Sequence, residues 1–337
     1  MKNSQETLNK KISRKNLSSI FSGNEMILIL CIIGLSALMT IINPMFFSAN
    51  TLFEMLRACV VTGIVAIGVG LVMINGGVDL SCMSIAIFSG YATTQIMVAL
   101  DYQGSVFLMF VIGVIIGAFL GLCNAMLIAF LKIPIFIATL CAGVMYRGIM
   151  FQFIGHIYVT PANMPPGAMA FAGNTIFGGL HVSVFILISL LLLTHLLLRY
   201  TVAGRGVYAM GGALISAQRI GYNVKRLNIM LYTFAGAMYG IGGIAYVTNN
   251  RMADPGGLAG TELVAVSSVV LGGVAITGGK GSMLGVFLGT LLTVLIRNNL
   301  ILMGVSSDWQ AFVFGIVLIA AIALQAYQRN RAQKGKA

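Results

Sequence analysis

Of the 337 residues, 58% are hydrophobic and only 8% are charged, which excludes a soluble globular chain, where about a quarter would be charged. The net charge of +12 would suggest nucleic acid for a soluble protein, but in a membrane protein it follows from topology, and no nucleic-acid partner is expected. The five cysteines all fall in apolar stretches without a C-x-x-C pair, so they read as packing residues rather than a disulfide or metal framework.

Residues 1–25 form a polar tail with five Lys and Arg before residue 16. Ten apolar stretches follow, at 26–43, 52–74, 80–100, 105–130, 133–153, 181–199, 227–247, 261–278, 283–303 and 309–326. Each is near the about 20 residues that a helix needs to cross hydrocarbon. The expected fold class is an all-α integral membrane protein with about ten transmembrane helices over 26–326 and a second tail at 327–337. The first stretch lacks a small-residue cleavage site and reads as a retained helix rather than a signal peptide. With both termini cytoplasmic, sixteen of twenty Lys and Arg lie inside, as the positive-inside rule requires. Five of them (Arg199, Arg205, Arg219, Lys225 and Arg226) sit in one central cytoplasmic loop, 199–226, which has no acidic residue.

Gly113, Gly117 and Gly121 form a small-xxx-small ladder on the fourth stretch, and Gly285 with Gly289 does so on the ninth. Such ladders let helices approach closely, and the expectation is packing within the chain rather than a dimer face. The external loop 154–180 holds Pro161, Pro165 and Pro166, which prevent one regular helix there. The short loops 75–80 and 278–282 are candidates for re-entrant segments.

Polar residues at membrane depth are few: Asn75, Asp79, Gln95, Asn124, Arg147, Gln152, Glu262, Arg297 and Asn298. An ionisable group left in lipid costs about 2.5–3.5 kcal/mol on the mildest scale, so each needs a partner or a pathway. Asp79 has two readings: a cap for the third helix, helped by Ser81, or a wall of the pathway. Asn124 and Gln95 can hydrogen-bond a hydroxylated solute or another helix, and Glu262 suits the N-terminus of the eighth helix. Together Asn75, Asp79, Gln95, Asn124, Arg147 and Glu262 are the candidate pathway residues for an uncharged polar solute. Buried carboxylates suited to proton or sodium coupling are scarce, so energy is expected from a partner received at the basic loop. Gly278-Gly279-Lys280-Gly281-Ser282 is not a phosphate loop, because Val274 stands where the first glycine of the motif belongs. The three histidines lack zinc-helix spacing, and no nucleophile–base set gathers on one membrane face, so no catalytic residue and no metal site is expected.

Several ordered pieces of the chain resemble one family. They are Gly76-Gly77-Val78-Asp79-Leu80-Ser81; Lys132-Ile133-Pro134 with Thr139-Leu140 and Arg147-Gly148; Gly204-Arg205 with Ala209-Met210-Gly211-Gly212; Glu262-Leu263; Ser267 to Gly273; and Gly278 to Ser282. From about residue 45 to 326 the chain resembles the membrane permease of ribose-, galactose- and arabinose-type ABC importers. It departs at Ala213, where that family has Asn after the glycine pair, and at Cys82-Met83, where Val-Gly is usual.

The resemblance implies a two-copy permease core, homodimer or paired with a paralogue, in the bacterial cell (inner) membrane. A cytoplasmic ATP-binding subunit would dock beneath it, holding ATP and Mg; the chain itself would carry no cofactor. A periplasmic or lipid-tethered sugar-binding protein would deliver a monosaccharide from above. The coupling helix would run from about Gly211 to Val224, with Arg205, Gly211, Gly212, Ser216, Arg219, Gly221 and Asn223 as coupling residues. Ser216, Arg219 and Asn223 are expected to form one polar stripe on it. Asp101, Arg251, Asp254 and Asp308, at external ends, would meet the binding protein. The rivals are an ion-coupled or facilitative secondary carrier and, more remotely, a membrane enzyme acting on lipid-linked sugar.

Overall fold

The structure, a computed structural model, describes residues 23–42, 44–176 and 178–302, and beyond them 304–306, 309–310, 312–313, 315–316, 319 and 323. Its helices, in chain order, are α1 (Gly23–Ile42), α2 (Ala49–Ile74), α3 (Cys82–Ala99), α4 (Val106–Ala129) and α5 (Ile135–Ile149), the last continuing as a π-helical turn to Ile154. A short α6 (Pro166–Ala172) and a two-residue hairpin, β1 (Thr175–Ile176) with β2 (Leu180–His181), lead to α7 (Ser183–Tyr200). Then come α8 (Val202–Gly212), α9 (Leu214–Arg219), α10 (Val224–Asn250), α11 (Glu262–Leu271) and α12 (Met283–Leu302).

Among the described residues, seven helices are long and apolar enough to cross a membrane: α2, α3, α4, α5 with its π turn, α7, α10 and α12. The stretch at 26–43 forms α1, whose apolar part is shorter, Glu25–Ile41. The stretch at 261–278 is corrected to the ten-residue α11, because the chain leaves the helix at Gly272 and Gly273, the latter at φ +81°. Of the tenth expected span, 309–326, only 309–310, 312–313, 315–316, 319 and 323 are described, and the tails, apart from 23–25, lie outside the described residues.

α10 is the hub, packed on α4, α3 and α2. The α4–α10 seam is built from the predicted ladder: a methyl at Gly117 would strike the Gly236 carbonyl, and one at Gly121 would strike the Tyr232 carbonyl. Backbones meet directly there because lipid supplies no hydrophobic drive for looser contact. The second ladder also packs within the chain, Gly285 on Gly272 and Gly289 on Ser268 and Gly272. Every residue of α2 from Gly63 to Ile74 is buried, so this half of the helix runs through the middle of the bundle. The loop 154–180 is ordered by α6, by the hairpin, and by backbone pairing of Val159 with Ala253 at 3.0 and 3.1 Å.

Candidate functional site: a broken-helix junction

Two non-helical segments enter the bundle. The first, 75–81, follows the end of α2. Asn75 caps that helix, Gly76 turns the chain at φ +92°, and Gly77 passes against Ile135 and Tyr232. Irregular backbone at membrane depth needs protein partners for its polar groups. Thr139 supplies some: its hydroxyl accepts from Leu80 N at 3.2 Å and donates to the Val78 carbonyl at 3.3 Å. α3 then starts with Cys82, Met83 and Ser84 all buried.

Asp79 anchors this segment. Its carboxylate accepts from Ser81 N (2.9 Å), Ser81 Oγ (2.6 Å) and Tyr239 Oη (3.1 Å), and only 1% of the residue is exposed. The network continues from Asn124 Nδ2 to Ser81 Oγ at 2.7 Å, and from Tyr146 Oη to Asn124 Oδ1 at 2.8 Å. One closed set of bonds thus ties the loop to α4, α5 and α10. The carboxylate binds the backbone of Ser81, the residue just before α3, so it fixes the loop rather than capping the first turn.

The second segment, 272–282, follows α11. α11 is ten residues, about 15 Å, and its far end packs beside the start of α12 through Gly272 and Gly285. Its first residue, Glu262, therefore lies about 15 Å from the Gly272–Gly285 contact. There it forms an ion pair with Arg147 of α5; their side chains are 16% and 29% exposed. Pairing gives each of these charges, carried on apolar helices, the partner that such a charge needs.

The two segments meet at glycines, and the end of α8 is wedged between them. A methyl at Gly278 would lie 2.6 Å from Gly76 Cα and 2.9 Å from Gly211 Cα; one at Gly279 would lie 2.7 Å from Gly212 Cα. Gly279 N donates to the Ile74 carbonyl at 2.8 Å, and Tyr208 of α8 donates to the Gly281 carbonyl at 2.8 Å. Backbone touches backbone with no side chain between to absorb movement.

Beyond this junction α8 and α9 stand out from the bundle. The expected single helix from Gly211 to Val224 is corrected: the chain breaks at Ala213 and again after Arg219, with Gly221 at φ +95°. Ser216 and Arg219 share a face of α9, but Asn223 leaves the expected stripe and caps α10, accepting from Arg226 N at 3.0 Å. Arg205, Gly212, Ser216, Arg219 and Gly221 are exposed, as are the apolar Leu214, Ile215 and Ile220, while Ala217 packs beneath with Met210 and Leu227.

The other candidates are dispersed. Asn75 Nδ2 donates to Asn228 Oδ1 at 3.0 Å near the junction. Gln95 sits toward the opposite end, donating to Tyr91 Oη at 2.7 Å, while Tyr91 donates to the Ile157 carbonyl. Gln95 also lines a cavity of about 560 Å³ under Pro165 and Pro166. Asp101 and Arg251 are exposed and Asp254 is half-buried, all at that same end; Asp308 lies outside the described residues. Sequence reasoning missed Tyr146 and Tyr239. A tyrosine in an apolar span is itself a signal, since its buried hydroxyl needs a partner.

The chain matches, over residues 51–322, the family described as branched-chain amino acid transport system / permease component. Among curated proteins it is similar to the ribose import permease protein RbsC of Bacillus subtilis (strain 168), with 33% identity over 85% of this chain and 88% of that one. Ribose import permease protein RbsC of Escherichia coli (strain K12) is 29% identical over 87% of this chain and 91% of its own length. The autoinducer 2 import system permease protein LsrC of Klebsiella pneumoniae is 28% identical, covering 93% of this chain and 90% of the relative. No solved structure matches.

Proposed function

The chain belongs to the family of transport-system permease components, and from that premise we propose how it works as the translocation subunit of an ATP-driven importer in the bacterial cell membrane. The solute is a monosaccharide or a similar small polyhydroxylated molecule, a reading supported by the names of the ribose and autoinducer 2 relatives. ATP and Mg belong to a partner ATPase, a binding protein delivers the solute, and a second permease, identical or paralogous, completes the pathway. About ten membrane helices with both termini cytoplasmic remain part of this reading, which puts α8 and α9 on the cytoplasmic side.

The observation that carries the reading is the glycine junction. The α8–α9 knob is exposed, basic and partly apolar, suited to a cleft on another protein. Its inner end abuts both broken-helix segments without side chains between. A push on the knob from an ATPase therefore moves the Asp79 segment and the segment beyond α11, and with them α3 and α11. Alternating access follows if those two helices shift against α10 and α5. Of the candidate pathway residues, Arg147 and Glu262 carry charge at the level where such a shift exposes or hides solute; Asp79 and Asn124 hold the moving segment in shape.

An ion-coupled carrier would need a carboxylate free to titrate in the pathway. The Asp79 carboxylate already accepts three hydrogen bonds and Glu262 is paired with Arg147. The test is reconstitution of the chain in proteoliposomes with its ATPase subunit and binding protein, using radiolabelled D-ribose. ATP-dependent uptake is expected, and ribose flux by the chain alone on an ion gradient would overturn the reading.

A further inference from the structure

A second polar cavity, of about 470 Å³, lies between α2, the end of α10, the loop 251–261 and α12. It is within the range of about 300–1,000 Å³ typical of small-molecule sites. Glu54, Arg57 and Arg297 line it together with Asn249, while Thr261 and Met83 line it deeper in the bundle. Arg57 donates to the Asn249 carbonyl at 3.0 Å and lies 3.8 Å from the Glu54 carboxylate. Glu54 is five residues into α2 and Thr62, also on the wall, thirteen, so the cavity runs from about 8 Å to about 20 Å down that helix.

Glu54 and Arg297 are exposed at the mouth and Arg57 is half-buried; charged groups at or near membrane depth need water or a partner. The inner end of the cavity is also special. Thr261 and Val264 line it, and Glu262 between them makes the ion pair with Arg147. Met83, on the same wall, is two residues past Ser81, in the helix that the Asp79 segment leads into. The cavity thus ends on the two helices that the glycine junction can move.

We propose that this cavity, from Glu54, Arg57 and Arg297 at its mouth to Thr261 and Met83 at its floor, is a station for a neutral polyhydroxylated solute within a single permease subunit. The site offers both donors and acceptors: guanidinium groups, a carboxylate, amides and the hydroxyls of Thr62, Tyr246 and Thr261. Ala58, Val61, Leu258 and Val264 give apolar surface for the carbon–hydrogen face of a sugar. The inference rests on the permease reading and adds to it a binding site.

Ala58→Cys and Val264→Cys, on opposite walls, test it in the full complex with the ATPase and binding protein. A membrane-impermeant, charged methanethiosulfonate reagent is applied from the outside, with the wild type giving the baseline of the native cysteines. Both positions are expected to react, at rates that differ by about tenfold between the nucleotide-free and the vanadate-trapped complex, because one state closes the cavity. ATP-dependent uptake of D-ribose is expected to be lost on modification and to return on reduction. Absence of reaction at both positions, equal rates in the two states, or modification without loss of uptake would each overturn the proposal. So would block of uptake at Ala162→Cys, in the other cavity, in place of these two. Lack of ATP-dependent uptake by the unmodified wild-type complex would instead count against the permease reading, and the labelling rates would still decide whether the cavity opens and closes.

Discussion

Alanine at Gly211 puts a methyl group where the backbone of Ile74 and Gly279 already stands. The new carbon would lie 2.5 Å from Gly279 N and would press on the Ile74 carbonyl oxygen, across a 2.8 Å hydrogen bond between those two groups. Non-bonded carbon contacts settle near 3.5–4.0 Å, so the segments must part by at least about 1 Å, and further at the Ile74 carbonyl, the nearer of the two groups. Overpacking of this kind costs about 1–3 kcal/mol, and the two backbone groups left without each other cost about 1–3 kcal/mol more. Gly212 is the natural control, because a methyl there meets nothing within 4 Å. In proteoliposomes with the ATPase subunit and binding protein, Gly211→Ala should keep hydrolysing ATP but lose both binding-protein stimulation and solute uptake. Gly212→Ala should keep all three. Thermal unfolding in detergent, measured alongside, separates lost coupling from lost fold. If the two variants are equally well coupled, the junction is not the transmission point.

Other substitutions probe the remaining links. Asp79→Ala removes the acceptor for Ser81 N and for Tyr239 Oη, at about 1–3 kcal/mol for each stranded donor; a clearly lowered melting temperature is expected. Asp79→Asn keeps an acceptor for Ser81 and should retain ATP-driven uptake, whereas abolition of coupling by this change would favour an ion-coupled carrier. Gly117→Val drives a branched side chain into the Gly236 carbonyl and should strip folded protein from detergent extracts, as size-exclusion chromatography would report. Arg219→Glu, on the exposed face of α9, should reduce the amount of ATPase subunit that co-purifies without altering membrane insertion.

Much of the architecture is legible in the sequence where backbone chemistry dictates it. Gly113, Gly117 and Gly121 can repeat at four-residue spacing in an apolar helix only if something must come close, and that something is α10. Gly76-Gly77 before a lone aspartate likewise marks a chain reversal with a polar group to satisfy. α11 was harder to see, since 261–278 is apolar almost throughout, and apolarity says that a segment sits in the membrane but not that it crosses as a helix. The break is set by Gly272-Gly273, which read equally well as packing residues. Asn223 suits both a helix stripe and an N-cap, and the long helix that follows took it as a cap. The polar cavity was hidden for another reason: Arg57, Asn249 and Arg297 are separated by well over a hundred residues of chain in all but one pairing, and only the packing of α2, α10 and α12 gathers them.

The central claim is that an ATPase drives this chain through the α8–α9 knob. Its most direct test is gentle affinity purification from native membranes, with a photo-crosslinker placed at the exposed Ile215. A nucleotide-binding subunit recovered in stoichiometric amount, and crosslinked from that position, is the predicted result. Intact, folded chain arriving without such a subunit, or a subunit that crosslinks elsewhere but not from the knob, would contradict it.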